Sequence, residues 1–277
     1  MKSRIIVAII FLPIVFIILF FLPPIFLVAF IALVSCGSAL ELMHAVGAIK
    51  NSRIPIYLVL APIALLIGIF FDSGFSDFQI LLMVTMYLMF VMFIEAFAAY
   101  NTESHISFSH ILIALFAGAV LPMTLVSLLN LRIMPAGRYL VFIPVICAFL
   151  TDAGAYFAGY FFGKKKAFPE ISPKKTVEGC IGGLFTGAVM LLLFGILVMN
   201  TTEYQVNLWL LVVLGVVGAA ATQIGDLAFS FVKREYNVKD FGKLLPGHGG
   251  MLDRFDSLFF AAPIMYLMII ALPSVIQ

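Results

Sequence analysis

Nine apolar stretches of membrane-spanning length constrain this chain more than any other feature. They run at about 5–22, 24–46, 54–72, 78–99, 110–130, 138–162, 177–199, 206–232 and 257–275. Most are close to the ~20 residues a helix needs to cross a bilayer core. Inside lipid a segment must satisfy its own backbone hydrogen bonds, which favours helices, and no part of the chain reads as a strand meander. Hydrophobic residues make up 64% of the chain and charged residues 11%. A soluble domain carries about 25% charged residues, so a water-exposed surface could not be built here. The fold class expected is all-α, a polytopic integral membrane protein with about nine transmembrane helices. The first two stretches are separated only by Pro23 and Pro24, which predicts a tight hairpin or a kinked pair. The Leu33–Gly37 sequence looks like a lipoprotein processing site. About thirty apolar residues precede it, however, where a cleaved signal has a core of roughly 7–15, so two uncleaved spans are expected. Cys36, Cys147 and Cys180 are widely separated and are expected to pack as small hydrophobes.

Lysine and arginine orient the spans. With the N-terminus inside, the inner segments hold Lys2, Arg4, Lys50, Arg53, Lys164, Lys165, Lys166, Lys174, Lys175, Lys233, Arg234, Lys239, Lys243 and Arg254, and the outer loops hold Arg132 and Arg138. Fourteen against two is a strong positive-inside bias. It predicts a multi-pass protein of the cell (inner) membrane with a cytoplasmic N-terminus and an outer C-terminus. The inner loop near Asn101–His110 has no basic residue.

Polar residues divide the chain into a scaffold of membrane helices with candidate dimer contacts, 1–135, and a catalytic membrane domain, 136–277. In the first part Glu41 and His44 stand three apart and are read as a hydrogen-bonded pair at the membrane interface. In the second, three charged segments are all predicted to reach the cytoplasmic face, as a site would require. The first begins at Asp152, an acid at membrane depth, followed by the small-residue stripe Ala155, Gly159 and Gly163, which allows close helix packing. Lys164–Lys166 reads as a headgroup anchor. Ser172, Lys174, Lys175, Thr176, Glu178 and Gly179 combine hydroxyls, ammonium groups and glycine at a helix start, which suits phosphate oxygens.

The second segment places Thr222, Asp226, Ser230 and Lys233 on one helical stripe. The third runs from Lys239 and Asp240 through Lys243 to a loop of Pro246, Gly247, His248, Gly249 and Gly250, whose backbone can approach a ligand closely. Asp253 and Asp256 then open the last helix on one face, beside Arg254. Two such acids, with a third on another span, point to a metal; Mg²⁺ prefers carboxylate oxygens and keeps substrate phosphates as ligands.

The 27 residues from Ser230 to Asp256 closely resemble the signature of phosphatidate cytidylyltransferases, the CDP-diacylglycerol synthases. Ser230, Lys233-Arg234, Lys239-Asp240, His248-Gly249-Gly250, Asp253-Arg254 and Asp256 stand at the spacing that signature asks for. The Ser172–Gly179 stretch looks like the family's second motif. The resemblance implies transfer of a cytidylyl group from CTP to phosphatidic acid, with Mg²⁺, a second cation such as K⁺, a homodimer in the bilayer, and no nucleic acid. On this reading Asp226, Lys233, Asp253, Arg254 and Asp256 are catalytic, and Asp226, Asp253 and Asp256 hold the metal. Ser172, Lys174, Lys175, Thr176, Ser230, Arg234, Lys239, Lys243, His248, Gly249 and Gly250 bind substrate phosphates. His248 fixes the loop or a phosphate rather than acting as a base. Asp152, Glu178 and Asp240 stand second, metal-linked or supporting the lysines.

Other CTP-using lipid enzymes, such as polyprenol kinases, would share a polytopic body and differ in the lipid accepted. A secondary transporter would place ionisable sites near the midplane of internally repeated halves. Here the polar residues crowd one half and one face, and no inverted repeat is evident.

Overall fold

A computed structural model describes residues 13–49, 51–71, 73–242, 249–272 and 275–276. Residues 13–20 are helical. There follow α1 (Pro24–Ala45), α2 (Ile54–Phe70), α3 (Asp77–Ala98), α4 (Phe108–Leu115), a π-helical turn at Phe116–Val120, α5 (Leu121–Ile133), the short α6 (Gly137–Leu140) and α7 (Phe142–Phe162). An antiparallel pair, β1 (Lys166–Phe168) and β2 (Ser172–Thr176), leads to α8 (Val177–Thr201), α9 (Leu208–Glu235) and α10 (Leu252–Ala271). The chain is a polytopic, predominantly helical membrane protein. Among the described residues, seven helical segments are long and apolar enough to cross a membrane, with Phe108–Ile133 and Gly137–Phe162 each taken as one. Helix α2 is also apolar but has 17 residues, and most of the first expected span lies outside the described residues.

Local sequence sets the helix boundaries. Pro24 begins α1, where a missing N–H costs nothing. Ser76 with Gln79, and Ser107 with His110, form capping boxes that open α3 and α4. The chain divides into two compact units, Met1–Val126 with Tyr236–Arg254, and Ser127–Glu235 with Phe255–Gln277.

In the first unit Leu27, Ile31, Met43, Leu58, Leu65, Leu88 and Met92 are fully buried. Gly118 sits in the π-helical turn, where a Cβ would lie 2.7 Å from Leu88. The buried Glu95 is satisfied by Asn51 Nδ2 at 2.8 Å and Tyr57 Oη at 2.9 Å, with Arg53 at 3.5 Å.

The second unit is knit by small residues. A Cβ on Gly179 would meet the Ala155 carbonyl at 2.8 Å, and one on Gly215 would meet the Gly187 carbonyl at 2.6 Å. Gly159 faces Gly179, and Gly183 faces Ala155 and Gln223. The Ala155–Gly159–Gly163 stripe therefore does bring α7 against α8, and α9 packs on α8 in the same manner. The β hairpin is the element that hydropathy did not announce.

Candidate active site

The second unit gathers its charges where α7, β2, α9 and α10 meet. Strand β2 ends at Thr176, whose hydroxyl accepts the Gly179 N–H at 3.1 Å and so caps α8. Because the segment is extended, neighbouring side chains point to opposite faces. Lys174 is exposed, whereas Lys175 is half-buried and turns inward. The Lys175 ammonium lies 2.7 Å from Asp226 Oδ2 and donates to the Gln223 carbonyl at 3.3 Å. Gln223 is itself held by its side-chain amide, which donates to the Cys180 carbonyl at 3.1 Å. Asp226, Lys233 and Ser230 ride on α9, which is helical throughout, so the expected stripe is intact.

On α10, Asp256 and Ser257 are buried. The Ser257 N–H donates to Asp256 Oδ1 at 2.7 Å, and the Ser257 hydroxyl donates to Asp152 Oδ2 at 2.9 Å. Asp226, Lys233 and Asp152 all act electrostatically on Asp256. Gly225 lets α9 come this close, since a Cβ there would sit 2.9 Å from the Asp256 carbonyl. The unit thus sets three acids, Asp152, Asp226 and Asp256, beside two lysines. All of these charges are expected from the sequence, but not Gln223, whose main-chain carbonyl accepts from Lys175, or Ser257, which donates to Asp152 and Asp256.

Two further expected residues have backbone partners. Arg234 Nε donates to the Ile171 carbonyl at 3.2 Å, tying the end of α9 to the hairpin turn. Glu178 accepts the backbone N–H groups of Lys164, at 3.0 Å, and Lys165, at 3.3 Å. It therefore supports the lysine run through its main chain.

In the first unit Asp253 is buried and its Oδ2 accepts from Phe241 N at 2.9 Å and Gly250 N at 3.0 Å. Gly249 has φ +86°, a conformation glycine adopts without strain. Lys239, Asp240 and Arg254 are exposed. Lys243 and His248 lie outside the described residues. The expected Glu41–His44 pair gives way to another arrangement. Both Glu41 oxygens accept main-chain N–H groups, from Met251 and Leu252, each at 2.9 Å, and His44 is exposed.

Among the described residues, no three His, Cys, Asp or Glu side chains stand close enough to enclose an ion by themselves. The donors present are carboxylate oxygens, which suit Mg²⁺, a cation usually bound by one or two carboxylates plus water and substrate phosphate.

Residues 2–272 match the model of a family described as the Cytidylyltransferase family. Among curated proteins, the chain is similar to the phosphatidate cytidylyltransferase of Staphylococcus saprophyticus, 42% identical over 134 residues, which is 48% of this chain and 50% of that protein. It is likewise similar to the phosphatidate cytidylyltransferase of Bacillus subtilis, 44% identical over 133 residues, 48% of each chain. The chain spans about half the length of the curated relatives it matches.

Proposed function

The chain belongs to the cytidylyltransferase family, and on that premise we propose that it is a phosphatidate cytidylyltransferase, converting CTP and phosphatidic acid to CDP-diacylglycerol and pyrophosphate. The observation that carries this reading is the pairing of Lys175 with Asp226 beside Asp152, Ser257 and Asp256. Such an arrangement handles two polyanions: the ammonium groups attract phosphate, and the carboxylates hold those ammonium groups or a cation.

A phosphatidate oxygen forms a bond to the α-phosphorus of CTP, and the bond from that phosphorus to the pyrophosphate oxygen breaks. The attacking oxygen is already anionic, so the side chains supply charge stabilisation and alignment rather than a strong base. Lys175 and Lys233 serve the phosphates from the C-terminal unit. Lys239, Lys243, Arg254 and His248 contribute from the signature segment, and Arg234 steadies the hairpin that carries Lys175. One or two of the expected acids Asp226, Asp253 and Asp256, with water and substrate phosphate, would hold Mg²⁺, which would neutralise phosphate charge, with K⁺ as a second cation. Asp152 aligns Asp256 through Ser257.

The same reading includes a homodimer in the cytoplasmic membrane, the acyl chains entering from the inner leaflet. The nine-span count, with α2 and the N-terminal helix as the two further spans, a cytoplasmic N-terminus and an outer C-terminus belong to it too. The test is pyrophosphate release by the purified, lipid-supplied protein. Release that needs CTP, phosphatidic acid and Mg²⁺, and that falls in Asp253→Asn by at least about a hundredfold, as for loss of a preorganised charge partner, is the expected result. A folded preparation that releases none with phosphatidic acid, but does with a lipid alcohol, would transfer the reading to a lipid kinase.

A further inference from the structure

Glu41 lies near the C-terminal end of α1, 210 and 211 residues before the groups it binds. A carboxylate near the end of an apolar span is costly unless it is partnered. Here each oxygen has its own donor: Oε1 takes the Met251 N–H and Oε2 the Leu252 N–H. These are amides at the start of α10, which have no carbonyl partner within their own helix. The contact is shaped for this carboxylate. A Cβ on Gly242 or Gly250 would collide with it. Asp253 completes the clamp by accepting from Phe241 and Gly250. Two carboxylates therefore hold four main-chain N–H groups between Phe241 and Leu252.

Resting on the cytidylyltransferase reading above, we propose that Glu41 is a positioning residue for nucleotidyl transfer. It touches no substrate. It fixes the Gly249–Asp253 turn, and with it the Asp253 carboxyl group that the reading assigns to the cation. A corollary follows from the occupied amides. The Met251 and Leu252 N–H groups bind Glu41 and so are not offered to substrate phosphate.

The test uses the full chain in detergent, with Glu41→Gln, which keeps one acceptor oxygen, and Glu41→Ala, which keeps none. Amide hydrogen exchange at Met251 and Leu252 should rise at least roughly tenfold in Glu41→Gln, as expected when a hydrogen bond to a charged acceptor is lost. Exchange in α3 and α8 should stay unchanged. Turnover should fall about tenfold or more and half-saturating Mg²⁺ should rise about threefold or more, with KM for phosphatidic acid little altered, since a misplaced ligand weakens the reacting geometry first. Unchanged exchange overturns the proposal. So does a lower Tm with unchanged turnover and Mg²⁺ requirement per folded molecule, which would make Glu41 a brace of the fold alone. If Glu41→Ala fails to fold, Glu41→Gln decides. If the unaltered protein releases no pyrophosphate, the functional reading falls, and the exchange result still decides whether Glu41 holds the turn.

Discussion

Replacing Lys175 by Met keeps the length and apolar stem of the side chain and deletes the ammonium. That group lies 2.7 Å from Asp226 Oδ2 and 3.3 Å from the Gln223 carbonyl. The two side chains retain 20% and 29% of their exposure, so the ion pair is partly screened and contributes about 1 kcal/mol or less to folding. A hydrogen bond from the same ammonium to a phosphate oxygen in the transition state is worth about 1.5–3 kcal/mol. At about 1.4 kcal/mol per factor of ten, Lys175→Met should lower kcat/KM by roughly 10- to 150-fold while Tm changes little. Lys174, the exposed neighbour on the same strand, should lose about fivefold or less in Lys174→Met, the scale of a solvated charge. Initial rates of pyrophosphate release at varied CTP and phosphatidic acid, with Tm recorded for each variant, separate the two. Equal losses, or a larger loss at Lys174, would refute the inference that contact with Asp226 marks Lys175 as the working lysine.

Gly225→Ala puts a Cβ 2.9 Å from the Asp256 carbonyl, an overpacking that costs about 1–3 kcal/mol, so both Tm and activity per folded molecule should fall. Values equal to the unaltered protein would mean that this glycine does not set the α9–α10 spacing. Tyr57→Phe removes a hydroxyl donor from buried Glu95 and should cost about 0.5–1.5 kcal/mol of stability with turnover per folded molecule unchanged, and a loss of turnover at constant Tm would contradict that assignment.

Hydropathy and charge carried much of this architecture. The last four long helices fall within a few residues of the apolar runs, because a span must be both long and dry. The stripe on α9 and the acids at the start of α10 were readable because helical spacing is fixed. What the sequence could not announce was a strand inside a helical membrane protein. Ser172–Thr176 has the composition of a helix start, and the extended course that leaves Lys174 exposed while Lys175 reaches Asp226 goes with its pairing to Lys166–Phe168. Gln223 and Ser257 were invisible for another reason. A neutral side chain acquires a role only from the carbonyl or carboxylate that folding places beside it. Glu41 was noticed but matched to the nearest polar neighbour in sequence, whereas its partners are main-chain groups more than 200 residues away.

The glycine and alanine seams that join α7, α8 and α9 have a mechanical consequence. Helices separated by bulky side chains can drift apart or together as rotamers repopulate. Helices in main-chain contact have no such compliance, because atoms at van der Waals distance resist compression steeply and leave no gap to close. The separation of Asp152 from the α8 and α9 groups is therefore gauged by backbone thickness itself. A bilayer that thickens, thins or changes fluidity can press on the exposed Phe157, Phe161 and Phe185 of α7 and α8 without resetting that gauge.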